Sequence, residues 1–209
     1  TFLKYKKIPK TDIQVSEIGF SLETFFDGNR GKSEEDSITN MLHQAHEFGV
    51  TLFDTADADG EGWAESLLGN SLKSKRHDII IATKFGYDFY NYYPNHESIK
   101  GSPHNWSPEF VRYACEQSLR RIGSDYIDLY QLHHPDLLAI ESDELFELLE
   151  KLVAEGKLRS YGISPTATLI PQHEIPAIVA ERDIATLSTI YNILTRQYSD
   201  NILKAAQQN

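Results

Sequence analysis

Thr51-Leu-Phe-Asp-Thr-Ala56, continued by Asp57-Ala-Asp-Gly60, opens on apolar and β-branched residues and closes on carboxylates. That is the form of a buried parallel strand delivering a polar group at its carboxyl end. Two later stretches repeat it. Ile79-Ile-Ile-Ala-Thr-Lys84 ends in a lysine, and Ile127-Asp-Leu-Tyr-Gln-Leu-His133 ends in a histidine. Asp54, Lys84 and His133 each stand where a strand gives way to a loop leading into a helix. Polar chemistry at the carboxyl ends of successive parallel strands predicts a βα-barrel active site.

Outward from these strands the chain alternates between the two periods of regular structure. Before them, Lys4–Ile8 and Gln14–Ile18 alternate around the turn residues Pro9-Lys-Thr-Asp12, which predicts an entry hairpin. Gly19-Phe-Ser-Leu22 reads as a first barrel strand and residues 23–32 as a loop. Ser33-Glu-Glu-Asp36 has the form of a helix cap, and Ile38, Met41, Leu42, Ala45 and Phe48 follow at helical spacing up to Gly49. A short helix with Leu67, Leu68, Ser71 and Leu72 inward lies between the strands at 51–56 and 79–84. An aromatic loop from Phe85 to Trp106 carries Tyr87, Phe89, Tyr90, Tyr92 and Tyr93. Ser107-Pro108 starts a helix that buries Phe110, Val111, Ala114, Cys115, Leu119 and Ile122 and stops at Gly123. A fourth strand at 127–133, a helix over 143–155, a fifth strand at 158–164 and a sixth at 184–190 complete the pattern, with a last helix from 199. Residues 166–182, interrupted by Pro171 and Pro176, read as a loop and a short helix.

The unbroken alternation predicts one α/β domain over residues 1–209. Six barrel strands are two βα units short of an eight-stranded barrel, which typically takes about 250 residues. No stretch reaches the roughly 18 apolar residues of a membrane span, and the first residues lack the apolar run of a secretory signal. One cysteine, Cys115, allows no internal disulfide and suits a reducing, cytoplasmic setting. A net charge of −11 opposes general binding to nucleic acid or anionic membranes. His43, His46, His77, His96, His104 and His173 show no metal-ligand spacing, so no metal site is expected.

Phe53-Asp-Thr-Ala-Asp57 with Gly60, Glu65 and Leu68-Gly69, then Ala82-Thr-Lys-Phe-Gly86, then Asp125-Tyr-Ile-Asp-Leu-Tyr-Gln-Leu-His133 closely resemble the aldo-keto reductases, in order and spacing, from the hairpin to Tyr191-Asn192. The resemblance implies a TIM-type (β/α)8 barrel of aldo-keto reductase type with an N-terminal β-hairpin, truncated after about six strands. It implies NADPH-dependent reduction of an aldehyde or ketone, or the reverse alcohol oxidation. The substrate would be a small carbonyl compound or alcohol, and open barrel edges would favour self-association. Of the family's Asp–Tyr–Lys–His tetrad, Asp54, Lys84 and His133 match.

The tyrosine position is Asp59, directly before Gly60. Beside Lys84 this carboxylate is expected to be ionised at neutral pH and so unable to donate a proton; the minor alternative is a protonated Asp59, which is able to donate. The family's cofactor contacts carry over to Asp54, to Ser164 (followed by Pro165 where the family often has asparagine), and to Ser188 or Thr189 where it usually has glutamine. The family's seventh and eighth strands, which usually hold the cofactor's phosphates, have no counterpart here. Residues 1–209 alone are therefore expected to bind NADPH weakly. Intact signature blocks favour an oxidoreductase. Asp59, Pro165 and the missing strands favour a catalytically impaired barrel that acts as a binding or regulatory subunit.

Overall fold

The computed structural model describes residues 3–25, 32–91, 102–166 and 181–194, with separate positions at 174, 177–178, 196, 200, 202–204 and 206. Its frame is a single sheet of six parallel strands in chain order: β3 (Gly19–Ser21), β4 (Leu52–Asp54), β5 (Ile80–Phe85), β6 (Ile127–His133), β7 (Leu158–Ser164) and β8 (Thr186–Leu187). A separate antiparallel hairpin, β1 (Tyr5–Lys7) and β2 (Gln14–Ser16), precedes it. Among the described residues, the α-helices with defined bounds are α1 (Lys32–Glu47), α2 (Trp63–Ser71), α3 (Pro108–Ile122), α4 (Leu137–Glu141) and α5 (Asp143–Ala154), each inserted between consecutive strands. The result is a curled, parallel half-barrel of TIM type.

The strand period of two assigns every side chain to one of two sides. On β5, Ile81 and Phe85 join the large core against the helices, where they meet Phe53, Leu68, Val111, Ala114, Tyr130 and Leu132. The alternate residues Ile80 and Ala82, with Leu129 of β6, face inward and pack on Ile8 and Ile13 of the hairpin. The hairpin thus fills the bottom of the curved sheet. Asp54, Lys84 and His133 follow the inward parity one or two steps further along their strands, past the apolar plug and at the carboxyl ends.

Helix ends follow their local chemistry. Ser107 Oγ accepts a hydrogen bond from the Phe110 amide at 3.4 Å, Pro108 occupies the first turn of α3, and Gly123 closes it at φ 69°. Ser142 caps α5 through the Leu145 amide at 3.3 Å.

Several expectations are corrected. Ser33 lies inside α1, which already includes Lys32, so it is not the residue preceding the helix. Met41 and Phe48 are exposed, whereas Ile38 and Leu42 are buried. Residues 23–25 form a 3-10 turn rather than plain loop, and α4 inserts a short helix ahead of α5. The sixth strand shrinks from residues 184–190 to Thr186–Leu187. The second shrinks to Leu52–Asp54, although Thr55 and Asp57 still donate to the Ala82 and Lys84 carbonyls at 2.9 and 3.0 Å. Tyr92, Tyr93, His96, His173 and most of the segments read at 166–182 and 199–207 lie outside the described residues.

Candidate active site

Parallel pairing in register brings the polar strand ends to one rim. Asp54 is opposite Ala82, Lys84 opposite Gln131, and His133 opposite Ser164. The Lys84 ammonium donates to both oxygens of Asp54, at 2.7 and 2.8 Å, and to the Thr55 carbonyl at 3.0 Å. Ser21 at the end of β3 adds a hydrogen bond to Asp54 Oδ2 at 3.2 Å. Lys84 itself is buried, so its charge is offset by a carboxylate and a carbonyl that converge on it.

Asp59 lies on the tight loop that follows β4. Its amide donates to the Ala56 carbonyl at 3.1 Å, and its own carbonyl accepts from the Ala64 amide at 3.2 Å. The side chain is 3% exposed, with Thr55 Oγ1 donating to Oδ2 at 3.4 Å. Burial pushes the carboxyl up to about 7; Lys84 pulls it down, while Glu23 and Asp54 add to the rise. The expectation of a carboxylate ionised at neutral pH holds for only part of the population, and the protonated form stands beside it. Lys84 is already claimed by Asp54 at 2.7 Å, and desolvation of Asp59 outweighs what attraction remains. Near neutral pH a substantial fraction of Asp59 carries a proton that it is able to donate.

His133 ends β6. Burial holds its imidazole well below the ordinary range, and His134, Lys84 and His104 add to the effect, so the ring is neutral at pH 7. Its Nδ1 is buried with no hydrogen-bond partner; Nε2 is not sealed in the same way. Around it stand aromatic rings that the sequence placed in a loop without assigning them positions. The Tyr87 ring meets His133 edge-on at 5.1 Å between centroids, and the Tyr87 hydroxyl is 2.9 Å from His134 Nδ1. His104 lies against Tyr87 at 4.2 Å, tilted by 33°, and stacks on Trp106 at 5.2 Å. The near-consecutive run of tyrosines was a signal of this wall; nothing local in the sequence pairs residue 104 with residue 87.

The positions read as cofactor contacts are on the same side of the sheet. Ser164 closes β7 opposite His133, half-buried, and its hydroxyl has no partner among the described residues. Gln131, buried on β6, donates to Thr186 Oγ1 at 2.9 Å and to Ser188 Oγ at 3.0 Å, and accepts from Ser188 at 3.2 Å. That reach passes Gly162, where a Cβ would collide with Thr186. The Ser188 hydroxyl is thereby saturated by the Gln131 amide. Pro165 offers no amide N–H.

Further buried chemistry lies behind the rim. The Asp57 carboxylate is fully buried without a hydrogen-bond partner, and desolvation, then Glu65, raise its pKa well above the usual range. Beside it Arg121 pairs with the buried Glu65 at 2.6 Å and donates to Tyr90 at 2.8 Å. Cys115 is buried in the helix core, and burial raises its thiol to about 12, which leaves it unreactive. Among the described residues no group of three or more His, Cys, Asp or Glu is arranged to hold a metal ion, and no helix is long and apolar enough to cross a membrane.

The aldo-keto reductase YhdN of Bacillus subtilis is 32% identical over 212 residues, matching 99% of this chain and 59% of its own. The methylglyoxal reductase YeaE of Escherichia coli is 28% identical over 197 residues, 94% of this chain and 62% of its own. Among solved structures, the holo form of AKR11C1 from Bacillus halodurans superposes with a TM-score of 0.80 at 30% identity, over 98% of this chain and 64% of that one. The glycerol dehydrogenase AKR11B4 of Gluconobacter oxydans does so with 0.77 at 28% identity, over 98% and 60%. The chain thus spans about three fifths of the length of the curated relatives it matches. Residues 17–209 match the model of the aldo/keto reductase family, and with the strand-end lysine, aspartate and histidine at one rim of a parallel half-barrel, the chain belongs to that family.

Proposed function

We propose that this chain carries the catalytic rim of an NADPH-dependent carbonyl reductase in which Asp59 takes the place of the usual tyrosine as proton donor. The observation that carries the reading is the Lys84 ammonium, gripped by both oxygens of Asp54 on the inward face of the sheet, one strand from the neutral His133. A carbonyl that accepts hydride develops negative charge on its oxygen. A buried ammonium and an imidazole N–H in a poorly solvated rim stabilise that charge, and a carboxyl with a pKa of about 7 supplies the proton. Asp54 orients Lys84 and, with Ser21, fixes where its charge lies.

The rim fits the nicotinamide end of the cofactor at Ser164, whose free hydroxyl is a ready partner for a carboxamide. When bound, the cofactor supplies the hydride. Ser188 joins only if its bonds to Gln131 open. The saturated Ser188 and the missing N–H of Pro165 are what favour the second reading, a reductase-like barrel that binds a partner or ligand without turnover.

The test is NADPH consumption with a panel of small aldehydes and ketones, using the longest form of the protein its gene encodes, beside Lys84→Met. Turnover that falls by about 10²-fold or more in the variant is expected, in line with the loss of a preorganised charge at a developing oxyanion. Cofactor binding with no turnover of any carbonyl would favour the second reading, and equal turnover in the variant would remove Lys84 from the chemistry.

A further inference from the structure

The ring of His133 lacks what usually fixes a functional histidine, an acceptor or donor on its far nitrogen, because Nδ1 is buried and unpartnered. Other residues hold it instead. Tyr87 presses its ring against His133 edge-on, 85° between planes at 5.1 Å, while His134 covers it at 4.4 Å. The two clamping residues are tied to each other through the Tyr87 hydroxyl and His134 Nδ1 at 2.9 Å.

Both are held by backbone. Tyr87 pairs with His104 in an isolated antiparallel bridge, flanked by Asp88 N–H to the Pro103 carbonyl and Asn105 N–H to the Gly86 carbonyl, each at 2.8 Å. Trp106 lies directly on Gly86, whose φ of +138° and lack of Cβ make that contact available. His134 adopts φ 54°, unusual for a residue with a side chain, and its amide donates to the Ser164 carbonyl at 2.9 Å. A costly backbone conformation next to a reacting group is the kind of feature that persists where the surroundings require it.

We infer that Tyr87, anchored through its hydroxyl to His134, is a positioning residue that holds the His133 ring in a single orientation and tautomer. The inference rests on the reading of His133 as the imidazole that faces the reacting carbonyl. A buried N–H without an acceptor costs more than a buried lone pair without a donor, so the ring proton belongs on Nε2 and Nδ1 is left bare. The titratable groups that face the ring are Tyr87, His134, Lys84 and His104; burial raises the Tyr87 phenol and keeps it neutral, and the other three each disfavour a second proton on the imidazole.

The experiment is nitrogen NMR of the imidazoles in histidine-labelled full-length protein, with His133 assigned by its loss in His133→Gln, beside kcat and cofactor KM. Wild type should show Nδ1 unprotonated and the ring still neutral well below the ordinary value near 6.5. Tyr87→Leu should average the two tautomers, move the titration toward that ordinary value, and lower kcat about 10–100-fold with cofactor KM unchanged. Tyr87→Phe, which keeps the edge-on ring, should restore most of the rate.

Tyr87→Phe and His134→Ala together should cost less than the sum of the two single losses, because both changes break the same hydroxyl–imidazole bond while His134→Ala also removes the ring that covers His133. A wild-type His133 that titrates near 6.5 or populates both tautomers would overturn the inference. So would a folded Tyr87→Leu with unchanged ring signals. If Tyr87→Leu does not fold, additive losses from Tyr87→Phe and His134→Ala overturn it and shared losses support it. The ring signals need neither cofactor nor turnover, so a protein that reduces no aldehyde yet shows the locked ring would sink the reductase reading alone.

Discussion

Asp59→Asn should flatten part of the protein's dependence of stability on pH. The folded carboxyl titrates at about 7, against an unfolded value of about 3.9, a rise of about three units. The folded state therefore binds more protons than the unfolded state between those two values, and stability falls as pH rises through the window. The stabilisation is fully present below about pH 4 and is lost by the time pH has passed through about 7. At about 1.4 kcal/mol per unit the whole effect is about 4 kcal/mol, and the part between pH 5 and pH 8 is about 3 kcal/mol. That is a large share of the roughly 5–15 kcal/mol that typical domains possess.

Asparagine has the same shape and no proton to lose. The assay is urea unfolding followed by far-ultraviolet circular dichroism for wild type and variant at pH 5, 6, 7 and 8. The difference between the two should move by about 3 kcal/mol in favour of the variant as pH rises, while contributions from all other groups cancel. Parallel curves across this range would refute the claim that Asp59 is a desolvated carboxyl that Lys84 does not rescue.

Other consequences follow from the same geometry. Asp57→Asn should stabilise the protein at pH 8 in thermal unfolding, because a fully buried carboxylate without a partner is replaced by a group that cannot ionise; a destabilised variant would point to a partner for Asp57. Gly162→Ala should cost about 1–3 kcal/mol in urea unfolding, since the new methyl collides with Thr186 and displaces β8 from β7; a neutral result would show that β8 yields freely. Asp59→Tyr should keep carbonyl reduction but carry its loss at high pH upward, from near 7 toward the phenol range near 10; an unmoved pH profile would mean that residue 59 is not the donor.

The sequence was most informative where local signals mark the ends of an element. Residues 127–133 and 158–164 were bounded to the residue, because Gly123 and Gly156, both at positive φ, close the helices ahead of them. The caps at Ser107-Pro108 and Gly123 behaved likewise, since their hydrogen bonds are local. Phe48 and Met41 misled because helical spacing states which residues share a stripe, and α1 buries only the Ile38–Leu42 side of its own. The sign of charge near Asp59 was readable, but its depth was not. Lys84 is legible as a neighbour, whereas 3% exposure, and the fact that Asp54 already holds the lysine, are tertiary facts. The clamp around His133 was beyond reach for the same reason, as it joins residues 87, 104 and 134 from two loops.

The central claim is that Asp59 donates the proton at a rim organised by Lys84, Asp54 and His133. The measurement that bears on it most directly is kcat/KM for aldehyde reduction against pH, in wild type and Asp59→Asn, at saturating NADPH. Wild type should lose rate as pH rises through about 7, and the variant should be slower by about 10²–10⁴-fold with that limb gone. An Asp59→Asn protein with the wild-type rate and the same descending limb would contradict the account.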